Sequence, residues 1–135
     1  MTLAARFSIG GIALLIASAP LSAALCLTAE YAVYFAPGRW DVDNPRAETT
    51  IRAVVAEIRG RHATRIVVQA FTDTVGNATL NQAVSQRRAD AVRRALLAEG
   101  IQSTAMGFGE SQLGIPTPDN TPEQRNRRAV VYIVS

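Results

Sequence analysis

The 135-residue chain has no lysine, a single cysteine and a single histidine, and aromatic residues make up only 6% of it. Each shortage closes off a class of explanation. With one thiol, Cys26, no intramolecular disulfide can form, so stability must come from an ordinary apolar core. One histidine and one distant cysteine cannot supply the ligand set of a zinc centre. His62 is also the sole residue on which a histidine-based triad could be built, and its polar surroundings, Gly60-Arg61-His62-Ala63, suit an exposed loop instead. The 14 basic residues, all arginine, are interspersed with 11 acids, giving a formal net charge of +3. A segregated basic stripe of the kind that binds nucleic acid is absent.

What the chain does have begins with a long uncharged run. Phe7–Leu27 carries no charge, is rich in alanine, leucine and isoleucine, and contains Pro20. Ser22 and Ala24 fit a small-residue cleavage site, so residues 1–24 read as a secretory signal, 25–29 as a short mature lead and 30–135 as one domain. Two rival readings share the same residues. The run is about long enough to be a retained membrane anchor, since roughly 20 apolar residues cross a bilayer. Alternatively Cys26, just after a signal, is a lipid-attachment site, although Leu25 stands where such sites prefer a small residue. The roughly 110 residues that remain are enough to bury a core.

Periodicity orders the rest. Glu30–Phe35 is β-branched and aromatic and stops at Pro37-Gly38, which predicts a strand. Asn44 or Asp43 caps a helix with Pro45 at its first position; Ile51, Val54, Val55 and Ile58 recur at helical spacing, and Gly60 closes it. Arg65–Phe71 reads as a second strand, apolar enough to lie inside a sheet. A second helix starts at Asn77 or Thr79 and runs to Gly100, its apolar row being Leu80, Val84, Ala91, Val92, Ala95 and Leu96. Thr104–Phe108 is a short third strand, Gly109–Thr121 a proline-rich loop, and Ala129–Val134 the last strand. The expected fold is an α/β (α+β) two-layer sandwich, a βαβαββ-type mixed sheet with two main helices packed on one face.

Chemistry concentrates in Gln69–Arg88. Asp73 ends a strand, and Arg88 follows the turn by about two helical turns, so the two can face one small cleft. Such a pair suits a zwitterion, with the Asp taking an ammonium and the Arg a carboxylate through a bidentate fork. Arg88 shares a helix face with Val84 and Val92, and Asn81 lies seven residues before it on that face. A buried arginine is costly unless paired. A structural explanation, with Arg88 snorkelling or tied to a structural Asp, therefore stands beside the functional one. Trp40, in the loop after the first strand, reads as a lid on the core.

The run AFTDTVGNATLNQAVSQRRADAV (Ala70–Val92) resembles the GHTD-x-x-G…N-x-x-L-S-x-x-R-A-x-x-V signature of OmpA-like peptidoglycan-binding domains. Gly107-Phe108-Gly109-Glu110-Ser111 is similar to that family's G-Y-G-E-S turn, Asn126–Val130 to its N-R-R-V close, and Val33-Tyr34-Phe35 to its first strand. The resemblance implies a periplasmic, outer-membrane-associated or free, non-enzymatic module that grips the diaminopimelate of the peptidoglycan stem. Asp73 would hold the ammonium and Arg88 the carboxylate, Asn81 would support them, Arg127 would add a polar contact, and Thr72 with the backbone N–H groups after Asp73 would complete the cradle. Other envelope proteins are the alternative partners, docking on the Tyr31–Phe35 edge or the proline-rich loop. The sequence departs from the family at Ala70-Phe71, where Gly-His is usual, and at Phe35-Ala36-Pro37-Gly38, where F-D-F-D is usual. The first change is expected to place an apolar ring near the site. An enzyme is disfavoured on the residues alone: Asp73-Thr74-Val75-Gly76 is similar to the D-T-G turn of aspartic proteases, but Val75 interrupts it and no second such turn supplies a partner carboxylate.

Overall fold

A computed structural model describes residues 27–134; the segment read as a signal, and Cys26 with it, lies outside the described residues. The elements are β1 (Leu27–Tyr34), α1 (Pro45–Arg61), β2 (Arg65–Ala70), α2 (Ala78–Ala98), β3 (Thr104–Gly107) and β4 (Arg128–Val134), with a short 3-10 turn at Gln124–Asn126. The order is the expected βαβαββ. The strands form one mixed sheet in the order β1-β4-β2-β3, with β4 antiparallel to both neighbours and β2 parallel to β3. Alternate strand residues Val33, Ile66, Val68, Ala70, Ala129, Val131 and Ile133 share one core with Ile51, Val54, Val55 and Ile58 of α1 and Val92 and Leu96 of α2. Both helices therefore cover the same face of the sheet. Among the described residues no helix is long and apolar enough to cross a membrane.

Local chemistry sets the boundaries. Asn44 Oδ1 accepts the Ala47 N–H at 3.0 Å, and Pro45 takes the first helical position. α1 runs past Gly60, the expected stop, because His62 adopts the left-handed conformation (φ 53°) and donates its N–H to the carbonyls of Arg59 and Ile58. Asn77 caps α2 at the Leu80 N–H (2.8 Å), and Gly100, at φ 78°, lies just beyond its end. β1 begins at Leu27, three residues ahead of the expected Glu30, and the ladder to β4 extends to the Leu27–Val134 pair. Leu80 leaves the predicted apolar row: it is 57% exposed, on the first turn of α2 where it borders an open cleft.

α2 and β3 meet at unusually close range. Gln82 Nε2 donates to the Gly107 carbonyl (2.7 Å), Gln86 Oε1 accepts the Gly107 N–H (3.0 Å), and Ser85 Oγ accepts the Gly109 N–H (2.8 Å). A β-carbon at Gly107 would sit 2.6 Å from the Ser85 carbonyl carbon. This polar seam fixes how far α2, and every residue on it, stands from the sheet.

Candidate functional site

A cleft of about 490 Å³ opens beyond the C-terminal end of β2. All five residues singled out from the sequence, Thr72, Asp73, Asn81, Arg88 and Arg127, line it. A larger trough of about 620 Å³ runs between α1 and α2 over Ile51, Val55 and Ala95, with Arg59 and Glu99 bonded to each other at its rim. The smaller cleft is the better site, because Thr72, Asp73, Asn81, Arg88 and Arg127, all buried, converge on it.

Asp73 and Arg88 share the cleft but do not bond to each other. The partner of Asp73 is Arg127, assigned from the sequence only an additional contact. Arg127 Nη1 lies 2.8 Å from Asp73 Oδ2, and the two side chains are 9% and 8% exposed. Asp73 also accepts the Glu123 N–H at Oδ2 (3.2 Å) and the Val75 N–H at Oδ1 (3.3 Å). Arg127 continues through Nε to the Phe35 carbonyl (3.0 Å) and through Nη2 to Gln124 Oε1 (2.8 Å). The pair thus ties together the ends of β1, β2 and the 3-10 turn.

Arg88 is 1% exposed and neither snorkels nor meets a carboxylate. It donates from Nε to the Arg39 carbonyl (2.8 Å), from Nη1 to that of Phe71 (2.9 Å) and from Nη2 to that of Ala36 (3.4 Å). Its Cζ stands 5.1 Å from the centre of the Phe35 ring. Burial pushes the guanidinium down to about 10, with the Asp73 charge partly opposing that fall and the Arg127 charge adding to it. It remains cationic at neutral pH. Because each Nη carries two N–H groups, one on Nη1 and one on Nη2 have no acceptor among the described residues.

The remaining residues divide between an unbonded hydroxyl and groups already bonded within the protein. Thr72 Oγ1 is fully buried on the cleft lining without a hydrogen-bond partner. Asn81 instead directs Nδ2 to the Val75 carbonyl (2.9 Å) and to Glu110 Oε1 (2.8 Å), which holds the turn after Asp73 against α2. The expected cradle of backbone N–H groups is also engaged internally: Val75 bonds Asp73, and Gly76 bonds Asn120 Oδ1 at 3.4 Å.

Phe71 does not stand beside the cleft as expected. Its ring is turned to the other side, stacked on Phe108 at 5.7 Å with Arg128 Cζ 4.2 Å from its centre, and only its carbonyl reaches Arg88. The departure at Phe35-Ala36-Pro37-Gly38 does reach the site, because Pro37 and Gly38 form part of its wall. Trp40 is 36% exposed under the Arg87 guanidinium (4.6 Å), a surface cation–π contact and not a lid on the core. Sequence reasoning missed Asn120 and Pro122, which complete the wall from the proline-rich loop. The signal available for them was the turn-forming run Pro118-Asp119-Asn120.

Comparison with known proteins places these features among relatives. The OmpA family matches residues 34–129. The peptidoglycan-associated lipoprotein of Pasteurella multocida is 32% identical over 102 residues, covering 73% of this chain and 67% of the lipoprotein. Outer membrane porin F of Pseudomonas aeruginosa is 44% identical over 73 residues, 49% of this chain but only 20% of the porin. The crystal structure of the peptidoglycan-associated lipoprotein from Burkholderia pseudomallei superposes with a TM-score of 0.67 at 29% identity, over 76% of this chain and 89% of that one. The chain therefore spans about two thirds of the lipoprotein relative and a fifth of the porin.

Proposed function

Given that the chain belongs to the OmpA family, we propose that it binds peptidoglycan non-covalently, gripping the diaminopimelate of the peptide stem, and so helps anchor the bacterial cell envelope. It acts in the periplasm, in association with the outer membrane. The observation that carries this reading is the state of Arg88: a buried cation held by carbonyls alone, with two N–H donors left over. Burying a charge without a counter-charge is expensive, and an incoming carboxylate supplies what the fold does not. Asp73 accepts the ligand ammonium on the lone pair left at Oδ1. Its charge is already shared with Arg127, so the carboxylate end dominates recognition. In this reading the stem is held and not cut; hydrolysis of peptidoglycan by the purified protein would refute that part.

The test is Arg88→Lys in a cell-wall pelleting assay and in titration with a diaminopimelate tripeptide stem. A lysine is a point charge that cannot reproduce the planar fork, so affinity should fall by about 2 kcal/mol or more, roughly thirtyfold. A folded Arg88→Lys protein that sediments with cell walls as well as wild type would leave the reading untenable. Equal affinity for amidated and free diaminopimelate would also count against the carboxylate role.

A further inference from the structure

The wall of the cleft contributed by the β3–β4 loop is held in place before any ligand arrives. Thr74, buried just after Asp73, donates from Oγ1 to the Pro118 carbonyl (2.8 Å) and accepts the Thr121 N–H on the same oxygen (2.9 Å). Its own carbonyl accepts the Asn120 N–H at 3.1 Å. Asn120 sits in the left-handed region at φ 51°, a conformation asparagine tolerates better than most residues. Its Oδ1 accepts the Gly76 N–H, and that bond decides which end of the amide is which. The amide nitrogen is left with no acceptor among the described residues, on a side chain that lines the cleft.

We propose that Asn120 is a further ligand-binding residue. Its Nδ2 donates to a carbonyl or carboxylate oxygen of the peptide stem next to the diaminopimelate end, with Thr74 as the positioning residue that holds it there. The inference rests on the peptidoglycan reading above. An ammonium cannot be the partner, because a side-chain amide nitrogen only donates. A donor whose residue is already held at its backbone N–H and its side-chain oxygen loses little freedom on binding, so the contact favours an acyl-linked stem over an isolated amino-acid zwitterion.

The test compares two ligands: a tripeptide stem ending in diaminopimelate, and D-norleucine, which has a zwitterionic end and an aliphatic chain but no further oxygen. The readout is the ratio of their affinities, by calorimetry for the tripeptide and NMR titration for D-norleucine. Asn120→Asp keeps an oxygen for Gly76 and removes the donor, and Asn120→Gly keeps the backbone conformation and removes the side chain. Both should narrow the preference for the tripeptide about tenfold, the scale of one well-placed hydrogen bond. Thr74→Val should narrow it likewise, and Thr74→Ser should restore it. An unchanged ratio in both Asn120 variants, including equal loss for both ligands, overturns the assignment alone. Wild-type protein that binds neither ligand sinks the peptidoglycan reading and this assignment with it.

Discussion

Arg127→Ala should cost about 3–5 kcal/mol of folding stability, enough to unfold much of a domain of marginal stability. The substitution leaves the Asp73 carboxylate buried with two backbone N–H groups and no bonded counter-charge. It also strips the Phe35 carbonyl and Gln124 of their bonds to the guanidinium. Asp73→Ala should be severe for the mirror-image reason, with Arg127 left as a buried cation. The double variant should cost less than the two single losses added together, since neither charge is then orphaned. Urea unfolding of the four proteins measures this directly. Single variants that each lose under about 1 kcal/mol and add independently would show that the pair is not buried as described. The result matters for the binding experiment, because an Asp73 variant that fails to bind has first to be shown folded. Arg88→Lys, which keeps the charge, is the cleaner probe of function.

Gly107→Ala should destabilise by about 3 kcal/mol or more, at the upper end for overpacking. Of the three atoms a β-carbon would strike, the Gln86 nitrogen and the Ser85 carbonyl carbon belong to the backbone of α2 and cannot rotate away, and the third is Ser85 Oγ, itself bonded to Gly109. The helix would have to lift off β3 and break the seam made by Gln82, Ser85 and Gln86. Since α2 also carries Asn81 and Arg88, surviving folded protein should bind peptidoglycan more weakly as well. Gly60→Ala is the matching control. It lies within α1 with open space around the new methyl group, so it should be neutral or stabilise by about 0.5–1 kcal/mol. A Gly107→Ala protein that melts within a degree or two of wild type would mean that α2 and β3 do not approach this closely.

The sequence was most legible where the physics is local. Caps at Asn44 and Asn77, Pro45 at a first helical turn, and helical or alternating apolar spacing are short-range signals, and the elements follow them to within a few residues. The lining of the cleft was legible for a related reason: Asp73, Asn81 and Arg88 lie on one strand–turn–helix unit whose geometry follows from their spacing. Contacts made across the sheet were not. Asp73 and Arg127 stand 54 positions apart, and only the antiparallel alignment of β2 with β4, which sets Ala70 opposite Ala129, brings them together. The side of the sheet taken by the Phe71 ring and the seating of Asn120 against Thr74 depend likewise on the path of the long loop between β3 and β4.

The order of elements, the family and the charged residues around the cleft were thus readable along the chain, because each is written in local spacing or in motifs kept in register. How the charges are shared was settled by the fold in three dimensions. It joined Asp73 to Arg127, left Arg88 on carbonyls with two donors free, and set Asn120 on the wall. Which groups neutralise one another depends on distance in space and on burial, and neither is a property of spacing along the chain.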